Sequence, residues 1–193
     1  MENLEKSLKL FAAELEKAKN RKKISGYVLI GGLAVSARAK PRATYDIDFL
    51  VIADKSYLTE GISRIAKKLG YSVEISKGEA SDPLNGMVRI YTKDGEALID
   101  IIPTFWKWQD EIVEGAQYLS MGGGEHIPIA RIEDMVVLKL KAGGPQDLID
   151  TEELLKAADL SKNIDPERLF SLAKRAKVDK KLDRILHKLG VSF

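Results

Sequence analysis

The chain contains no cysteine, which excludes a disulfide framework, a thiolate metal site and a cysteine nucleophile together. It also lacks a long apolar run. The longest stretch free of charged side chains is the fourteen residues from Ile24 to Ala37, short of the ~18 apolar residues that a membrane span needs and interrupted by glycine and polar positions. No membrane partner is expected. The opening Met1-Glu2-Asn3-Leu4-Glu5 is acidic where a secretory leader is basic and then continuously apolar, so the expected compartment is the cytoplasm. Net charge is nearly absent as well: 31 basic against 29 acidic side chains leave +2, too little to coat a nucleic acid through overall charge. Internal repeats and low-complexity segments are lacking.

What is present is an ordinary globular composition, 193 residues with 45% apolar side chains. Folding a chain of this size buries on the order of 70% of the unfolded surface. The organisation expected is a core over residues 1–129, with an N-terminal helix, followed by a helical region over 130–193. Charges are placed unevenly. Five of the seven residues from Lys17 to Lys23 are basic, Lys174 to Lys188 holds seven basic residues against Asp179 and Asp183, and Asp147 to Asp159 holds five acids against Lys156. The two basic runs are solvated helix faces or surfaces for an anionic polymer.

Hydrophobic periodicity predicts an amphipathic helix over Leu4–Lys23, a strand over Tyr27–Ile30 ending at Gly31-Gly32, and a short helix over Leu33–Arg38 closed before Pro41. A strand follows from Asp46 to Ile52, then a helix over Tyr57–Leu69. Strands are predicted at Met87–Tyr91 and Ala97–Ile102, with the Asp-Gly of Thr92–Glu96 as a hairpin signal. Beyond Pro103 the pattern loosens through Trp106 and Trp108. His126–Ile129 then reads as an edge strand because Pro128 cannot donate to a ladder. Helices are predicted over Arg131–Lys141, Gln146–Ala158, Pro166–Lys177 and Asp179–Leu189. The fold class expected is α/β.

The chemistry concentrates around Asp46-Ile47-Asp48. Carboxylates at i and i+2 of a strand project from one face, roughly 6.6 Å apart at the α-carbons. Two anions so placed call for cations between them, and oxygen-only donors suit magnesium or manganese. Asp100 is the only charged residue between Ala97 and Pro103, so it either lines a cavity or meets a buried partner such as an arginine. The Gly31-Gly32 pair, ending a strand and opening a helix, lets a phosphate chain approach free backbone N–H groups.

Gly31-Gly32, then Arg42-x-Thr44-x-Asp46-x-Asp48, then Asp100 alone in an apolar strand, resembles the polymerase-beta-type nucleotidyltransferase superfamily. Within it the chain is most similar to small prokaryotic members such as the AbiEii-type, toxin-like nucleotidyltransferases. The run from His126 through Lys139 to Ala142, followed by Asp147 and Asp150, is similar to a helix pair of those proteins. Gly32 stands where many members have serine, and Gln146 where relatives usually have lysine. The resemblance spans roughly Tyr27 to Leu155. It implies a polymerase-beta-like core with a mixed sheet, an N-terminal helix and a C-terminal helical bundle. It also implies transfer of a nucleoside monophosphate from a nucleoside triphosphate such as ATP to a hydroxyl, with Mg2+ or Mn2+. By that resemblance Asp46, Asp48 and Asp100 are catalytic and bind metal, Gly31 and Gly32 hold the triphosphate, and Arg42 and Lys139 neutralise phosphates.

Three functions follow as expectations. The first is transfer to a macromolecule, RNA or protein, as the toxin of a toxin–antitoxin pair with an antitoxin as partner. The second is transfer to a small antibiotic-type molecule, for which the acids of Asp147–Asp159 would attract a cationic acceptor. The third is a non-catalytic nucleotide-binding module, which loss of any of the three acids would favour. Thr44 reads as a cap, His126 and His187 as structural, Asp147 and Asp150 as caps or partners within the helical half, and Trp106 and Trp108 as core or its cover.

Overall fold

The computed structural model describes residues 2–77, 86–91, 97–161 and 163–191. The opening amphipathic segment forms α1 (Glu2–Asn20), whose stripe Leu8, Phe11, Leu15 and Ala18 is buried. Next come β1 (Ile24–Ile30), α2 (Gly31–Arg38), β2 (Ile47–Ala53) and a π-helical turn at Tyr57–Gly61 that leads into α3 (Ile62–Lys68). β3 (Ser72–Lys77), β4 (Gly86–Tyr91), β5 (Ala97–Pro103), α4 (Lys107–Glu114), β6 (Gln117–Ser120) and β7 (His126–Ile129) follow. The chain closes with α5 (Ile132–Ala142), α6 (Pro145–Ser161), α7 (Pro166–Arg175) and α8 (Asp179–Leu189). No helix among the described residues is long and apolar enough to cross a membrane.

Among the described residues the sheet has seven strands in the order β3-β4-β5-β2-β1-β7-β6. It is mixed: β2 runs parallel to β5 and β1 parallel to β7, whereas the other neighbours are antiparallel. Strand alternation assigns the two faces. Phe49 stacks on Phe11 of α1 at 6.3 Å and meets Tyr27 edge-on at 5.9 Å, and the Tyr27 hydroxyl donates to the Ala12 carbonyl. Ile47, Phe49 and Val51 therefore face α1, and Asp48 and Leu50 face the other way. On that second face α4 seats closely on β1, because a Cβ on Gly26 would lie 2.7 Å from Val113 Cγ1. One apolar core runs from Phe11 of α1 through the sheet to Leu182 of α8.

Three elements go beyond the periodicity reading: β3, α4 and β6. The Thr92–Glu96 turn lies outside the described residues, and the two strands on either side of it are antiparallel neighbours. The expectation of an edge strand at His126–Ile129 is corrected, since β7 lies between β1 and β6. The Ala130 N–H donates to the Leu29 carbonyl, so by alternation the nitrogen of Pro128 also faces β1. Pairing with β1 begins only at Ile129, and the missing donor therefore falls where no ladder bond is required.

Candidate active site

Register brings the predicted acids together. Asp48 and Asp100 are partners across the parallel β2–β5 pair, Arg89 of β4 is the partner of Asp100, and Ile30 is the partner of Asp48. A single row across the sheet thus reads Arg89, Asp100, Asp48, Ile30, and Gly31 continues from its end into α2. Asp46, two residues before Asp48, shares its face on the exposed approach to β2.

The row is electrostatically strained. Burial, then Asp100, then Asp46 push the Asp48 carboxyl up to about 7, against the pull of Lys139 and a backbone N–H bond from Gly32. Burial and Asp100 likewise raise Asp46, with Arg89 opposing. Asp100 is buried and gripped at both oxygens by Arg89, Nε to Oδ1 at 2.9 Å and Nη2 to Oδ2 at 3.0 Å. The arginine partner expected of Asp100 is thus Arg89, which is 39% exposed rather than buried. Among the described residues no three such side chains converge into a ligating cluster. The donor chemistry of Asp46, Asp48 and Asp100 nevertheless fits a hard divalent cation, because all are carboxylates and Asp48 is short of counter-charge.

The glycine pair is required by close approach. Gly31 has φ +68° and a Cβ there would lie 1.8 Å from Asp48 Oδ2. A Cβ on Gly32 would lie 2.6 Å from Thr44 Oγ1 and 2.9 Å from Arg42 Nη2. The start of α2 therefore rests directly on the acid row, with Thr44 and Arg42 walling its other side.

Arg42 and Lys139 both approach the row, and both are also held by α6. Arg42 forks onto Asp150 with Nε at 2.8 Å and Nη2 at 2.9 Å, and its Nη1 donates to the Ala43 carbonyl. Lys139 bridges Asp147 at 2.8 Å and Asp150 at 3.0 Å. Burial alone would raise Asp150, but Arg42, Gln146 and Lys139 hold it below the usual carboxylate range. Burial alone would lower Lys139, and Asp147 and Asp150 raise it instead. Asp147 also accepts the Gly144 N–H at the start of α6, as a cap should. Asp150 goes beyond the role expected of it, joining the helical half to the loop that carries Asp46.

Trp106 stacks on buried Trp108 at 5.9 Å, and Lys141 Nζ lies 5.1 Å from the centre of the Trp106 ring. The pair thus covers the core edge, and among these neighbours only Phe105 is strongly exposed. His126 contacts the Gly124 carbonyl within its own hairpin. Periodicity did not single out Arg89. Its one signal is a cation alternating with Val88 and Ile90 in a strand next to a buried acid.

The sequence matches no protein-family profile and no curated protein. Solved structures do match in shape. The antibiotic-resistance factor ANT(2'')-Ia in solution superposes with a TM-score of 0.51 at 18% identity, over 94% of this chain and 97% of that one. A structure of ANT(2'')-Ia with adenylyl-2''-tobramycin gives 0.50 at 16%, over 89% and 97%. An antigenic nucleotidyltransferase-like protein from Paracoccidioides brasiliensis gives 0.50 at 14%, over 96% and 93%. The fold is thus the α/β nucleotidyltransferase fold with a mixed sheet.

Proposed function

We propose that this chain transfers a nucleoside monophosphate from a nucleoside triphosphate to a hydroxyl acceptor. The acceptor oxygen bonds to the α-phosphorus, the bond to pyrophosphate breaks, and the hydroxyl proton is lost. The observation that carries the reading is the register pairing of Asp48 with Asp100 directly beneath a glycine turn that cannot accept a side chain. Asp46, Asp48 and Asp100 would hold magnesium or manganese, which supplies charge stabilisation at the phosphoryl oxygens and acidifies the attacking hydroxyl. The backbone at Gly31-Gly32 meets the triphosphate at the start of α2. Lys139 and Arg42 border the same space and offset the charge that develops on the leaving pyrophosphate.

For the acceptor, the reading favoured is a macromolecule, RNA or protein, with a toxin role and an antitoxin partner as its finer form. Its support is the balance of unpaired charge. The acids Asp147, Asp150, Glu152 and Glu153 are all engaged by cations of this chain, which weakens their pull on a cationic acceptor. A small-molecule acceptor is the second reading, suggested by the tobramycin adduct of one structural neighbour. The test is mass spectrometry of cellular RNA and protein after incubation with labelled triphosphates. The expected result is a divalent-ion-dependent label that Asp48→Asn removes while leaving the circular dichroism unchanged. Undiminished transfer by Asp48→Asn overturns the site.

A further inference from the structure

At the end of α2 remote from the glycine turn, Arg38 carries a guanidinium whose Nε and Nη2 are sealed from solvent and donate to nothing among the described residues. Those two nitrogens form the edge of the group that grips a carboxylate or phosphate through two parallel hydrogen bonds. Folded chains rarely leave buried charged donors unmade, because their desolvation is not recovered. Burial pulls Arg38 below its usual range, with Glu133 opposing and Arg131 adding to the fall.

Arg38 borders a cavity of about 210 Å³ that is also lined by Gln117, Arg131, Glu133, Asn163 and Asp165. Each of its two acids is engaged through one oxygen. Glu133 accepts the Asp165 N–H, and Asp165 accepts the Arg168 N–H at the start of α7. Of its donors, Arg131 gives its Nε to the Gly115 carbonyl, its terminal nitrogens meet no acceptor among the described residues, and the Gln117 amide is likewise without one. A cavity bordered by two guanidinium groups that keep unmade donors offers a small anion charge-assisted hydrogen bonds from both.

We infer that this cavity binds a small oxyanion, a phosphate or carboxylate group, between Arg38 and Arg131. The volume lies below the roughly 300–1,000 Å³ of pockets for drug-sized ligands, so the occupant is a small anion and not a nucleoside triphosphate. The site is separate from the acid row, since Gly31 and Arg38 stand about 10 Å apart along α2 at its helical rise. Binding turns the Nε–Nη2 edge toward the cavity that Arg38 already borders, a rotation offset by two charge-assisted hydrogen bonds.

The probe is inorganic phosphate, read as a melting-temperature shift and by calorimetry on the full chain, with sodium chloride at matched ionic strength as reference and acetate as the carboxylate arm. The wild type is expected to show a saturable rise of a few degrees with phosphate or acetate, and whichever anion acts identifies the chemistry. Arg38→Gln should lose the rise. Gln117→Glu places a carboxylate inside the cavity, so it should melt higher than wild type without added anion and no longer respond to it. That second variant decides the matter if Arg38→Gln does not fold, and it separates this cavity from phosphate bound at the glycine turn. A response matched by chloride, absent with both anions, or surviving in Gln117→Glu overturns the proposal.

Discussion

At the scale of single residues, the site is defined by what two positions will not tolerate. Asp48 is half-buried beside two other carboxylates and has its carboxyl pushed up to about 7, whereas the unfolded chain titrates near 4. The folded state therefore binds the proton more tightly, and the charged form costs stability that grows as pH rises from about 4 to about 7 and is constant above. In EDTA, Asp48→Asn should match wild type in unfolding free energy near pH 4 and exceed it at pH 8 by at most about 4 kcal/mol. Equal melting curves at both pH values would show that the carboxylates do not oppose one another. Gly31 is constrained twice, by φ +68° and by a Cβ position 1.8 Å from Asp48 Oδ2. Gly31→Ala should cost about 1–2 kcal/mol in left-handed strain and also displace Asp48, so transfer should fall far more than the melting point alone accounts for. A variant with normal turnover contradicts the close approach.

Among elements, the informative joint lies between the α2–β2 loop and α6. Arg42 and Asp150 are 108 positions apart, and their fork, with Lys139 added from α5, ties the loop that carries Asp46 to the helical layer. Removing the arginine leaves Asp150, which is 1% exposed, short of its best partner. Arg42→Ala is expected to cost about 3 kcal/mol, and Arg42→Lys to recover only part of it because an ammonium cannot fork. Thermal melts together with steady-state kinetics check this. An unchanged melt with only a raised KM for the triphosphate would make Arg42 a phosphate ligand and nothing more. The same joint marks the limit of sequence reading. Asp46 and Asp48 were legible because period-two spacing fixes a shared face, and α1 and α5–α8 because their apolar residues recur at helical spacing. A pairing across 108 positions leaves no local trace, and neither does the register that sets Arg89 against Asp100. α4 was missed because its buried Trp108, Ile112 and Val113 occupy barely two turns after a tryptophan-rich approach.

For the whole molecule, a net charge of +2 hides an uneven surface once internal pairs are subtracted. In the C-terminal helices Arg175 pairs with Glu111 and Lys188 with Glu152, and Lys181 donates to the Leu140 carbonyl. Near the N-terminus Lys17 and Lys68 share Glu14. Lys174, Lys177, Lys180 and Arg184 remain exposed and without an ion-pair partner among the described residues. The C-terminal basic run legible in the sequence thus reduces to four cations around the α7–α8 turn, and Lys181 belongs to the fold instead. If the acceptor is RNA, replacing those four with Gln should weaken binding of a single-stranded oligoribonucleotide. Every phosphate that the variant no longer neutralises should also flatten the plot of log affinity against log salt by about 0.7. Lys181→Gln should instead lower the melting temperature with little change in that slope, because its ammonium caps the end of α5. For a small cationic acceptor the fourfold variant should bind RNA as poorly as wild type and transfer to the small molecule undiminished. Fluorescence anisotropy across a salt series separates the two, and a wild-type affinity that is undetectable or indifferent to salt removes RNA as the acceptor.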